Sequence, residues 1–189
     1  MTTGNIEVTP DQNTADDGLW DDLSVISPQG VNPTGPDANA TVILDPADYY
    51  GCLQFDAIGE SASVTFQIPH IYKIGTDIKP HIHVVRNDPT DNTGNVEFEA
   101  KFRVVPLRGA AFAWTAYSDG DVGVQPADGA GQSGIIRWTL ANSTYNFGIS
   151  DQIIMIIRRK ALATGSIALT SADIHGQKGQ LGSRSEASL

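Results

Sequence analysis

The sequence predicts an all-β protein, a jelly-roll β-sandwich of about eight strands with an extended N-terminal arm. Three observations predict it. First, two runs alternate apolar and polar residues without a break. In 61–68 Ala62, Val64, Phe66 and Ile68 alternate with Ser61, Ser63, Thr65 and Gln67; in 95–105 Val96, Phe98, Ala100, Phe102 and Val104 alternate with Glu97, Glu99, Lys101 and Arg103. Period two over that length is a strand with one buried and one wet face. Second, turn formers interrupt the chain at short intervals, with 19 Gly and 10 Pro among 189 residues, the spacing of a sandwich. Third, the longer segments lack a 3.6-residue apolar period, so no sizeable helix is expected.

Residues 1–40 carry Pro10, Gly18, Pro28, Gly30, Pro33, Gly35 and Pro36, with only Leu19-Trp20 and Leu23-Ser24-Val25-Ile26 as apolar pieces between them. They read as an arm with anchoring side chains. Strand-like runs follow at 41–44, 52–56, 61–68, 81–86, 95–105, 111–117, 134–140, 152–160 and 165–175, and the Gly- and Asp-rich stretch 118–134 reads as a long loop. The expected organisation is an acidic arm over 1–40, the sandwich over 41–175 and a polar tail over 176–189.

The length suits one domain with its own core, and a chain that is 40% apolar and 18% charged belongs to a folded rather than a disordered class. Cys52 is the only cysteine, which rules out an internal disulfide framework or a thiolate zinc cage and leaves a small buried apolar side chain. The longest aliphatic run, Ile153-Ile154-Met155-Ile156-Ile157, is far too short to span a bilayer. The first residues show neither the basic nor the apolar segment of a secretory signal, so export by that route is not expected.

Charge is lopsided. Residues 1–72 hold eleven acids and no Lys or Arg, and the rest hold eleven acids and twelve bases, so the net −10 resides entirely in the N-terminal part. Without a basic stripe, neither nucleic acid nor an anionic membrane is an expected partner. An arm so charged is expected to seek cations on a partner or neighbouring subunit, with Trp20 and Leu23 as its apolar anchors.

Among sequence patterns with known chemistry, Gly129-Ala-Gly131-Gln-Ser-Gly134 has dinucleotide-binding spacing, but a strand-like run follows it where a helix is needed. His81-Ile82-His83 places two imidazoles on one face of a strand, close enough to share a metal ion. With Gly75, Asp88 and Gly94 it resembles the first motif of cupins. The downstream cupin histidine has no counterpart: between His83 and His175 there is none, and Asp128 follows Gly120 and Pro126 where a glycine is required. His70 and His175 are the remaining histidines. The pairs Asp16-Asp17, Asp21-Asp22 and Glu97/Glu99 lie in solvated settings that would not tune an acid or base. The expectations are therefore no enzymatic activity, no catalytic residues, no cofactor and no bound metal, with His70, His81, His83 and His175 serving an interface.

Several blocks resemble a family of small structural virion proteins of tailed bacteriophages: Trp20-Asp-Asp-Leu23, the central Ile68-Pro-His-Ile-Tyr-Lys-Ile-Gly-Thr-Asp-Ile-Lys-Pro-His-Ile-His83, Gly94 to Arg103, Asp173-Ile-His175 and Leu181-Gly-Ser183. The resemblance implies a capsid decoration or cement protein on the virion surface, made in the host cytoplasm, whose partners are the major capsid protein or another virion protein and further copies of itself. Alternatives are a tail, neck or fibre-associated jelly-roll module and a cupin-like metal enzyme. A homotrimer is expected, since closed symmetry covers sheet edges, with its axis lined by one face of the central strands; if His70, His81, His83 and His175 lie near that axis, acid should weaken the trimer.

Overall fold

The computed structural model describes residues 20–26, 32–33, 41–45, 50–86, 94–124, 126, 131–161 and 165–178. They form, in chain order, β1 (Trp20–Ile26), β2 (Asn32–Pro33), β3 (Thr41–Asp45), β4 (Tyr50–Phe55), β5 (Ser61–Gln67), β6 (Ile78–Arg86), β7 (Glu97–Val105), β8 (Ser118–Asp119), β9 (Asp121–Val124), β10 (Ser133–Arg137), the single-turn helix α1 (Asn142–Tyr145), β11 (Gln152–Ala161) and β12 (Ile167–Gln177). All ladders are antiparallel. One sheet runs β3-β4-β12-β6-β10-β9, with β1 pairing the C-terminal part of β12, and the other runs β2-β5-β11-β7-β8. This is the predicted all-β jelly-roll sandwich, with more strands than the sequence suggested because several are only two to five residues long.

The core lies between the sheets and follows the period-two pattern. β5 turns Ala62, Val64 and Phe66 inward, β7 turns Phe98, Ala100, Phe102 and Val104, and β11 turns Ile153, Met155 and Ile157. The facing sheet supplies Leu53 and Phe55, Ile78, Ile82 and Val84, Ile136, and Ile167, Leu169, Ala172 and Ile174. Phe55 meets Phe98 across the interlayer space edge to face, ring centroids 5.2 Å apart. Each such aromatic removes enough surface from water to contribute about 2–3 kcal/mol. Cys52 is buried, as expected.

β12 carries a bulge. Its register against β6 runs Leu169 to Val84 and then Ser171 to His83, so Thr170 is an extra residue, and its hydroxyl donates to the His83 carbonyl at 3.2 Å. The inward set therefore changes from Ile167 and Leu169 to Ala172 and Ile174, and Asp173 turns to the outer face.

Three expectations need correction here. The 111–117 run is not a strand. It tracks β7 through Phe112 N–H to Val104 O and Thr115 N–H to Phe102 O, both 2.9 Å, but the Phe102 amide donates to the Thr115 hydroxyl instead of a backbone carbonyl, and the ladder breaks. The 118–134 stretch is not simply a loop, since β8, β9 and the start of β10 lie within it. Strand 134–140 ends at Arg137, beyond which Trp138 donates one hydrogen bond to Pro80 and Leu140 exchanges two with Ile78 as an isolated bridge along β6.

Within the stretch read as an arm, the described parts are β1 and β2. β1 runs from Trp20 opposite Gln177 to Ile26 opposite Ala172, with a register shift at Leu23, and β2 pairs Asn32 and Pro33 with Ser63 and Ala62. The side chains of Trp20 and Leu23 lie outside the described residues, as do the remaining residues of 1–40 and 179–189.

The connection into β11 hangs on Asp151. Its buried carboxylate accepts the amides of Leu107 and Gly148, each at 2.8 Å. Asp151→Ala leaves both donors unmatched and should lower stability by about 2 kcal/mol in urea titration, whereas Asp151→Asn, which keeps one acceptor oxygen, should lose less.

Candidate functional site

Two constellations stand out. The first is a cavity of about 570 Å³ at one edge of the sandwich. Its walls are the segment 115–119 with Asp121 on one side and residues 137–145 on the other, and Phe102 and Trp138 form its floor, edge to face at 6.1 Å. Trp138 is fixed from below by the core and from the side by its indole N–H, which donates to the Ser118 carbonyl at 3.1 Å. The chain at Gly120 passes so close that an added Cβ would lie 2.3 Å from Ile136 Cγ2 and 2.8 Å from Trp138 Cζ2. Only glycine allows this approach.

The α1 turn sets the opposite wall. Asp77 accepts the Asn142 amide at 2.9 Å, and Asn146 closes the turn in the left-handed region at φ 49°. The Asn142 side-chain carbonyl then accepts the Phe147 amide at 3.0 Å, so the turn is tied at both ends. Tyr145 thereby stacks on Phe147 at 5.4 Å and takes Phe112 edge-on at 5.5 Å. Burial pushes the Tyr145 hydroxyl above the ordinary phenol range, so it stays a donor near neutral pH.

Polar groups complete the rim. Arg137 Nε donates to Asp121 Oδ2 at 3.0 Å, with both side chains exposed. Tyr117 lies beneath the Arg158 guanidinium at 4.1 Å, and Lys101 reaches the faces of Tyr117 and Trp114 at 5.0 and 5.3 Å. Trp114 and Phe112 are over a third exposed. Trp138 belongs to the core, Trp114 is over a third exposed, and the Trp20 side chain lies outside the described residues.

The second constellation is on the outer face of the sheet that runs from β3 to β9, at its centre, where β6 and β12 pair. Asp173 stands opposite His81 in the ladder, Ser171 opposite His83 and His175 opposite Lys79. His81 Nε2 and His83 Nε2 are 3.2 Å apart, His83 Nε2 is 3.2 Å from Asp173 Oδ2, and His81 Nε2 touches Asp173 Oδ1. His175 packs its ring edge-on against His81, centroids 4.1 Å apart. His81 and Asp173 are buried, whereas the His83 side chain is 38% exposed. Burial alone would raise the Asp173 carboxyl, but the hydrogen bonds and charges of the two imidazoles together hold it below the usual carboxylate range.

Three of the four sequence-predicted histidines thus converge, and His70 does not join them: it is exposed in the turn after β5. The third group beside His81 and His83 is a carboxylate, Asp173, where the cupin pattern has an imidazole. Strand parity marks Asp173 and His175 as sharing a face, but nothing local shows which strand they meet.

No protein-family model matches the chain, and no curated protein matches it. Solved structures do. The CBM36-1 domain of a multidomain xylanase from the hindgut metagenome of Trinervitermes trinervoides is 13% identical over 84% of this chain and 98% of its own, with a TM-score of 0.42. The CBM22-1 xylan-binding domain of Paenibacillus barcinonensis Xyn10C is 12% identical over 87% and 99%, with a TM-score of 0.45. The enzymatically active domain of tailspike protein 4 from bacteriophage CBA120 is 13% identical over 84% of this chain but 19% of its own, with a TM-score of 0.38. These are likenesses of fold. The expected role in capsid decoration or cementing is corrected here: the solved structures that the sandwich resembles include carbohydrate-binding modules.

Proposed function

We propose that the protein is a carbohydrate-binding module that holds a neutral saccharide in the groove walled by Tyr117 and Tyr145, without acting on it chemically. The observation that carries this reading is the groove itself: an open cleft lined by Phe102, Tyr117, Trp138 and Tyr145 together with hydroxyl, carboxylate and guanidinium groups. Sugar rings present C–H faces that stack on aromatics and hydroxyls that need paired donors and acceptors, and Arg137 with Asp121 offers such a pair. The carboxylates of Asp119 and Asp121 are paired with Lys160 and Arg137, which engages those cations and turns them away from a phosphate-rich ligand. An apolar lipid chain would leave the same groups without partners. Both carboxylates are well solvated, whereas a glycosidase needs at least one desolvated acid beside its target bond.

Affinity electrophoresis of the full chain through gels containing soluble xylan, mannan or a mixed β-glucan tests this. At least one polysaccharide should retard the protein, and Tyr145→Ala should weaken its binding about tenfold, or about 1.4 kcal/mol. Arg137→Ala should act in the same direction. Migration unaffected by every polysaccharide, or a Tyr145→Ala variant retarded as strongly as the parent, would overturn the proposal.

A further inference from the structure

We propose that His81, His83 and Asp173 form a binding site for a divalent transition-metal ion, zinc above all, on the outer face of the β6–β12 pair. One ligand atom from each of the three lies within 4.8 Å of the others. A tetrahedral ion about 2.1 Å from each ligand sets neighbouring ligand atoms about 3.4 Å apart. The observed Nε2–Nε2 and Nε2–Oδ2 separations are both 3.2 Å.

Proton accounting favours the ion over a hydrogen-bonded cluster. Both imidazoles turn the same nitrogen, Nε2, toward one carboxylate and toward each other. If both carry a proton, two N–H groups oppose each other; if one does not, its lone pair faces the carboxylate. Asp173 Oδ1 is buried and touches His81 Nε2, while Oδ2 faces His83 Nε2. Three lone-pair donors converging on one point are satisfied together by a cation, and a buried carboxylate gains most from a doubly charged one.

The donor set selects the metal class. Two imidazoles and one carboxylate suit zinc and its neighbours cobalt, nickel and copper, whereas calcium and magnesium prefer all-oxygen shells. His175, edge-on to His81, acts as a positioning residue that fixes that ring. Arg137 stands opposite His81 in the β10–β6 ladder, and its Nε donates to Asp121 at 3.0 Å. The exposed edge of His83 gives the ion a way in and leaves its fourth position to water or an incoming ligand atom.

The test uses the full chain after EDTA treatment and dialysis. Zinc titrated against a chromophoric chelator should bind one equivalent per chain with Kd below about 1 μM and raise the melting temperature. Co2+ in its place should give the visible absorption of a four-coordinate site with imidazole ligands. His83→Ala removes a half-exposed ligand, so in EDTA it should remain folded, yet it should bind zinc about a hundredfold more weakly. His70→Ala should titrate like the parent. No zinc bound below about 10 μM, a six-coordinate Co2+ spectrum, or a His83→Ala variant that binds as tightly as the parent would overturn the assignment. Because the Co2+ spectrum is read on the unmodified chain, the test does not depend on any variant folding.

Discussion

Replacing Arg86 with alanine should cost about 4 kcal/mol of folding stability, the sum of a cavity and of carbonyls left without donors. Arg86 ends β6 and is 1% exposed, pointing inward like Ile82 and Val84 before it. Its Nη2 donates to the carbonyl of Gly94, just before β7, and to that of Pro126, just after β9, the latter at 3.2 Å. One guanidinium thus joins segments that no ladder joins. Arg86→Met keeps most of the volume and removes the buried charge, so only the hydrogen bonds are lost and the cost should fall to about 2 kcal/mol. Urea denaturation of both variants decides the matter. If alanine costs under about 1 kcal/mol, those carbonyls reach water in its absence and the guanidinium is not a tie.

Gly120→Ala should be the most disruptive single methyl group in the described chain, costing about 3 kcal/mol. The new Cβ would overlap Ile136 Cγ2 and crowd the Trp138 ring, and both neighbours are buried. The Gly120 amide also donates to the Phe98 carbonyl at 2.9 Å, which holds the backbone against retreat. Trp138 must then shift and the groove floor deform, so any polysaccharide retardation should weaken together with the near-ultraviolet signal of the indole. A variant that melts within a degree of the parent would show that the backbone can yield here.

Much of the fold could be read from the chain. The alternation at 61–68 and 95–105 corresponds to β5 and β7, and the aliphatic run at 153–157 is the middle of the strand between them. Burial on one face imposes that pattern, so it survives in sequence. The 111–117 run misled because small and aromatic residues alternate there too, while a threonine hydroxyl takes over a ladder bond. Of the candidate metal site, only the His81-x-His83 half was visible, since it is local. Asp173 becomes a ligand through a strand pairing far along the chain, in a register that a bulge resets. The groove was invisible for a related reason: Tyr117, Trp138 and Tyr145 come from separate segments, and only the turns between them place them together.

The bulge at Thr170 also bears on which length changes this chain could survive through evolution. Either Thr170 or Ser171 could be deleted and the ladder would simply close, with Leu169 still facing Val84 and Ala172 still facing Ile82. A deletion two residues later would have no such slack. It would carry Asp173 into the hydrocarbon interior and Ile174 out to water, separating the carboxylate from both imidazoles in the same step. Insertions and deletions in β12 should therefore be tolerated only beside the bulge.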